Sequence, residues 1–263
     1  MELRAEVAAV APSAIVHLAA VSSTTDSLAD PAAAWRVNAV GTVNLTEAVR
    51  EAAPEARVLL VSTGEVYGDT GDEPAREDHA IEPRSPYAAS KAAAEIAAGQ
   101  AARAYGLDVV LARPFAHTGP GQDQRFALPS FAHQIAELER AGGGELKVGD
   151  LTVQRDLLDV RDVVAAYRAL LEPAVPAGTY NVARGTSVPL SELVELLVAD
   201  ATAPIRVVRD PARLRAVDTP RLCGDPARLR AATGWAPAYR HADTLGDLLA
   251  VARQSVIGDT AGR

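Results

Sequence analysis

The chain has 263 residues, 48% of them hydrophobic and 23% charged, with a formal net charge of -8. That length can bury a substantial core, and the acidic balance argues against nucleic acid or a membrane surface as a partner. The single cysteine, Cys223, excludes an intrachain disulfide and a cysteine-based zinc cluster, so no metal is expected and a reducing, cytoplasmic setting fits. No apolar run approaches the ~20 residues of a membrane span.

Residues 1–10 read as the end of an amphipathic helix, closed by Ala11-Pro12. Residues 14–18 read as a short buried strand, with His17 as a hydrogen-bonded structural histidine. Asp30-Pro31 opens a long helix to about residue 52, with Pro31 suited to its first turn. Asn38 lies in its interior, where its poor propensity calls for a hydrogen-bonding reason. Residues 57–61 are an apolar strand, buried on both faces by composition and length. The acidic, proline-containing loop 69–86 is expected to cover part of a site. Residues 90–105 are an Ala-rich helix with only Gly99 as a breaker.

Residues 107–112 read as a strand and 113–122 as a loop. A helix is expected over 128–140. Gly142-Gly143-Gly144 is a loop, and it is not a phosphate cradle because no strand precedes it. Short strands follow at 146–148 and 153–158. A helix over 162–171 has Asp159 or Arg161 near its start. Residues 180–182 are a strand, and 190–200 a helix capped by Ser187 or Ser191. Asp210 and Asp225 each read as a helix cap. Residues 225–232 and 244–254 are closing helices, with a frayed end after 258. Strands alternating with helices imply a parallel α/β sheet.

The chemistry concentrates between residues 58 and 91. The hydroxyls of Ser62 and Thr63 and the carboxylate of Glu65 fall just past the C-terminal end of the apolar strand, where open α/β sheets bind ligands. Tyr87 and Lys91 are four apart, which stacks them on one helix face. A phenol of pKa ~10 is a poor acid–base catalyst at neutral pH, and a nearby ammonium is expected to lower it. Thr63 or Ser62 can hydrogen-bond a substrate oxygen and fix its position. Tyr-x-x-x-Lys by itself is also an ordinary solvent-facing pair; the strand, the Thr-Gly-Glu cluster and the pair in this order point to catalysis.

In that order the chain resembles an extended short-chain dehydrogenase/reductase of the nucleotide-sugar epimerase/dehydratase family. The matching pieces are His17-Leu18-Ala19-Ala20, Asn38 with Gly41-Thr42, Ser62 to Gly68, Tyr87 to Lys91, Ala112-Arg113-Pro114-Phe115, Arg155-Asp156, Val160 to Val163, Tyr180-Asn181-Val182 and Gly224 to Trp235. The resemblance covers about residues 5–250. It implies a truncated Rossmann-like doubly wound parallel sheet with a smaller C-terminal α/β substrate-binding domain. Residues 1–115, with part of 150–182, would form the first, and 116–149 with 183–255 the second.

The resemblance implies NAD or NADP as cofactor, held by Ala19, Ala20, Asn38, Ser62, Tyr87, Lys91 and Pro114. Asn38 would tie its helix to the active-site strand. Thr63, Glu65, Tyr87 and Lys91 would be catalytic. Ala116 and His117 would meet the nucleotide sugar, although the family usually has Asn at the position of Ala116. Arg155 and Arg215 would clamp its phosphates, a task suited to the planar guanidinium. Pairing of Arg155 with Asp156 at the surface is the bland alternative. The run from His117 to Gln122 is closer to reductases of GDP-4-keto-6-deoxymannose than to the dehydratases that make it. A homodimer through residues 31–52 and 87–105 is implied.

The family's opening strand and Gly-x-x-Gly-x-x-Gly turn, which receive the dinucleotide pyrophosphate, are not found in this sequence. One reading is a shortened version of a full enzyme; another is a catalytically inactive module that binds a nucleotide sugar or a protein. The expectation is weak dinucleotide binding by residues 1–263 and an unpaired strand edge beside 14–18. Micromolar binding of NAD(H) or NADP(H) in calorimetry would refute it.

Overall fold

The structure is a computed structural model describing residues 2–214 and 218–261. Helix α1 (Glu2–Val10) leads into strand β1 (Ala14–His17). Two short helices follow, α2 (Thr24–Ala29) and α3 (Pro31–Trp35). Ser23 and Asp30 start them, each side chain accepting a backbone N–H three residues on, at 3.2 and 2.9 Å. The chain then widens into a π turn, Arg36–Val40, before α4 (Gly41–Ala52). The helix expected over 31–52 is thus one rod with an irregular turn at its middle. Such turns often sit where a side chain must be placed, and this one carries Asn38, which is buried.

Strand β2 (Arg57–Val61) matches its expected bounds. Helix α5 (Pro86–Tyr105) starts four residues before the expected 90–105. Ser85 accepts the Ala88 N–H at 3.1 Å and Pro86 fills the first turn, where its missing N–H costs nothing. Strand β3 (Val109–Pro114) runs on past the expected 107–112, and β4 (Ala116–Thr118) forms inside the expected loop.

The second half comprises α6 (Ala127–Arg140), β5 (Gly144–Val148), β6 (Gln154–Arg155), β7 (Leu157–Asp159), α7 (Val160–Leu170) and β8 (Gly178–Val182). Then come β9 (Val188–Pro189), α8 (Leu190–Ala199), β10 (Ile205–Arg209), β11 (Arg221–Leu222), α9 (Ala227–Thr233) and α10 (His241–Ala261). The strand expected over 153–158 is two strands broken at Asp156. Its fully buried carboxylate accepts the Arg184 and Gly185 N–H groups at 2.7 and 2.9 Å. Asp159 caps α7 as expected. Neither Ser187 nor Ser191 caps α8. Its first N–H groups, from Leu190 and Ser191, instead donate to the carbonyls of Val153 and Leu151, so a neighbouring segment satisfies them. Helix α10 continues beyond the expected 244–254 to Ala261.

The central sheet has the order β1-β2-β3-β8, every neighbour parallel. Side-chain alternation sorts β2 onto two faces. Val58 and Leu60 join Leu45 and Val49 of α4 and Ala94 and Ala98 of α5. Leu59 joins Val163, Ala166 and Leu170 of α7 on the other face. The strand at 14–18 has the unpaired edge expected of it, since among the described residues β1 pairs only with β2, but it is not buried: Val16 and Leu18 are exposed. A separate core joins α6, β5, α8 and α10 around Phe131, Ile135, Leu146 and Leu249.

Candidate active site

The C-terminal ends of β2 and β3 open into a cleft of about 1070 Å³. Thr63 follows β2 and accepts the Glu65 N–H on its Oγ1 at 3.2 Å, starting a 3-10 turn, Gly64–Tyr67. This turn lies against Phe115: a Cβ on Gly64 would stand 2.9 Å from the Phe115 ring. Ser62, Thr63 and Glu65 all line the cleft. The Ser62 Oγ is buried and has no hydrogen-bond partner among the described residues.

Tyr87 and Lys91 reach the same cleft from the first turns of α5. The Ser27 hydroxyl accepts the Tyr87 N–H at 3.1 Å, so α2 fixes the start of α5. The Tyr87 phenol and the Thr63 hydroxyl line the same cleft. Burial pushes the Tyr87 pKa above the ordinary tyrosine value, the Glu65 carboxylate adds to that, and the Thr63 hydroxyl opposes it. The expected lowering by Lys91 is not what the site does: desolvation of the phenolate, then the Glu65 charge, raise it. Burial instead pulls Lys91 itself down to about 8, against the opposing charge of Glu95. His17 is structural as expected, its Nε2 lying 3.2 Å from the Thr42 hydroxyl. Burial, then the Lys91 charge, holds its pKa low.

Asn38 does not line the cleft. It accepts the Val21 N–H at 2.9 Å and donates to the Val21 carbonyl at 3.1 Å and to the Ser90 hydroxyl at 2.9 Å. The expected link from Asn38 to the active-site strand is therefore a link to the segment after β1 and to α5. That segment brings Ala20 to the cleft, while Ala19 is exposed and outside it.

Pro114, Ala116 and His117 form another wall. His117 Nδ1 lies 2.9 Å from the Phe115 carbonyl, and burial lowers its pKa. Arg155 lines the far end. It donates to Asp218 at 2.5 Å and to the carbonyls of Gln154 and Thr219, both at 2.8 Å. It is not paired with Asp156, which is buried behind it. Arg215 lies outside the described residues. The loop 69–86 covers little of the cleft. It is tied to 221–225 through Thr70 and Ala75, and only Arg84 and Ser85 reach a small adjoining pocket.

Sequence reasoning missed Tyr167 of α7, a further phenol on the cleft, held above its ordinary pKa by burial and Tyr87. It also missed Glu95, whose spacing of four from Lys91 on an otherwise alanine-rich face is the available signal.

A parallel sheet with hydroxyls, a carboxylate and a Tyr–Lys pair gathered at its strand ends defines a Rossmann-like enzyme of the short-chain dehydrogenase/reductase class. The chain matches the family model described as GDP-mannose 4,6 dehydratase over residues 1–248. It is similar to the GDP-6-deoxy-D-mannose reductase of Pseudomonas aeruginosa, 38% identical over 229 residues, which cover 86% of this chain and 75% of that protein. It also resembles the UDP-glucose 4-epimerase of Mycolicibacterium smegmatis, 36% identical over 203 residues, covering 77% of this chain and 64% of that protein. The solved structure of RMD from Pseudomonas aeruginosa complexed with NADPH superposes with a TM-score of 0.87 at 37% identity, covering 93% of this chain and 82% of that one. The chain belongs to the GDP-mannose 4,6-dehydratase family of nucleotide-sugar-modifying enzymes.

Proposed function

We propose that this protein is an NAD(P)H-dependent 4-keto-reductase acting on a GDP-6-deoxy-4-keto-hexose. The observation that carries the reading is the Tyr87 phenol, which shares the head of the cleft with the Thr63 hydroxyl and the Lys91 ammonium. A phenol that keeps its proton at neutral pH is a proton donor, which is what a ketone oxygen requires as it becomes an alkoxide. Thr63 hydrogen-bonds the same 4-oxygen and fixes its place. Lys91, cationic below about 8, stabilises negative charge as the Tyr87 proton leaves and holds the nicotinamide ribose. The bound dinucleotide supplies the hydride at C4. The residues fit its nicotinamide end: Ser62 offers a buried hydroxyl with no protein partner among the described residues, and Ala20 leaves room for close approach. Ala116 and His117 face the sugar, and Arg155 stands where a diphosphate would compete with Asp218 for its guanidinium.

Glu65 favours a second reading. A carboxylate lining the cleft, with its charge felt by Tyr87, is the base that a 4,6-dehydratase needs to remove the C5 proton. One experiment separates the two. NAD(P)H-dependent reduction of GDP-4-keto-6-deoxymannose supports the reductase, and water loss from GDP-mannose supports the dehydratase. Turnover of neither directs attention to epimerisation of other nucleotide sugars.

Helices α3 to α5 present Trp35, Val37, Val40, Val43 and Ile96 to solvent. That apolar face supports a homodimer in this reading; a monomer by light scattering would end it. Among the described residues no helix is long and apolar enough to cross a membrane, and a cytoplasmic location is part of the same reading.

A further inference from the structure

Behind the cleft lies a buried polar chain that the proposed reaction does not use. Glu95 and Arg113 are each 5% exposed. Arg113 Nε donates to both Glu95 oxygens at 3.0 and 3.2 Å, and Nη2 donates to Oε2 at 2.7 Å. Arg113 Nη1 donates to the Tyr67 hydroxyl at 2.6 Å and to the Glu77 carbonyl at 3.2 Å. The Tyr67 hydroxyl in turn donates a hydrogen bond to Asn181 Oδ1 at 2.8 Å. Each member belongs to a different part of the site. Glu95 lies one turn beyond Lys91 on α5. Arg113 is the penultimate residue of β3, directly before Pro114. Tyr67 closes the 3-10 turn that begins at Thr63, and Asn181 belongs to β8.

We propose that the Glu95–Arg113 pair is a positioning element: Glu95 supplies the counter-charge that keeps Lys91 cationic, and Arg113 holds Glu95 while locking the Thr63 turn and the Pro114 wall to α5. This rests on the proposed role of Lys91. Desolvating an ion pair costs several kcal/mol per charge, and apolar residues of similar volume often fill such a place at no loss. Core filling by itself therefore does not call for a carboxylate here. Burial disfavours the Lys91 ammonium, and Glu95 opposes that. The other titratable groups around it are Tyr87 on the same helix, His17 of β1, Glu65 after β2, Arg113 of β3 and Tyr167 of α7. Of these, His17 answers to the Lys91 charge, and Arg113 is already matched by Glu95.

The chain has only two lysines, Lys91 and the exposed Lys147. Both can be followed by their side-chain 15Nζ signals in a pH titration of the whole protein, with no substrate present. Glu95→Gln is expected to lower the Lys91 midpoint by roughly half a pH unit or more, with Lys147 unmoved, and Glu95→Asp to restore it. Glu95→Gln leaves a buried guanidinium unpaired and can fail to fold, so Glu95→Gln with Arg113→Met removes both charges. That folded double variant is expected to show a lowered midpoint too, by less than Glu95→Gln, because the opposing Arg113 charge is removed with it. An unchanged Lys91 midpoint in it overturns the proposal. If the midpoint falls while the wild-type protein turns over no keto sugar, the positioning assignment stands and only the functional reading fails.

Discussion

The Asn38 amide donates to the Ser90 hydroxyl at 2.9 Å across 52 positions of sequence. Its other bonds, to both backbone groups of Val21, make it a side chain that joins the π turn, the segment after β1 and α5. Asn38→Ala strips these partners in a buried place. Leaving buried donors and acceptors unpaired costs about 1–3 kcal/mol each, so a total loss near 3 kcal/mol is expected in urea unfolding. A loss under ~1 kcal/mol would mean that the segment after β1 finds other partners.

Tyr87→Phe removes one hydroxyl from the cleft and leaves the fold intact. Ketone reduction is expected to fall by ~10²–10⁴ in kcat, with a thermal midpoint close to wild type. Near-normal turnover would reassign the proton donor, with Tyr167 the next phenol to test.

Gly68 follows the 3-10 turn with φ of 70°, and a Cβ there would stand 2.3 Å from the Glu82 carbonyl oxygen. Neither the strained dihedral nor the backbone contact relaxes cheaply. Gly68→Ala is expected to cost about 2–3 kcal/mol, read by denaturant titration. The Thr63–Glu65 turn would shift with it, so turnover should fall more than stability by itself explains.

Burial raises the Asp156 carboxyl to about 6, against the N–H groups of Arg184, Gly185 and Gly224. A carboxyl raised on folding contributes stability that is present below its unfolded value of 3.8 and is lost as pH rises through about 6. The amount at stake is on the order of 3 kcal/mol. Asp156→Asn removes this slope. In urea unfolding, the advantage of wild type over the variant is expected to be larger at about pH 4.5 than at about pH 7.5. A constant difference would show that Asp156 stays ionised throughout.

The sequence by itself determined the parallel α/β class, the family and the ordered set Ser62, Thr63, Glu65, Tyr87, Lys91. These depend on local signals: an apolar run of four, a fixed spacing of four, and small polar residues after a strand. Tertiary structure decided the rest, because burial and distant partners leave no local trace. It left Val16 of the edge strand and Leu18 just after it exposed, turned the Asn38 link toward Val21 and Ser90, and gave the α8 N-terminus carbonyls of 151–153 in place of a serine cap. It also reversed the expected pKa of Tyr87, since desolvation depends on what packs above the phenol and not on the residue four places along. The pairing of Glu95 with Arg113 was hidden for the same reason: an ion pair between a helix and a strand end exists only once the sheet has brought them together.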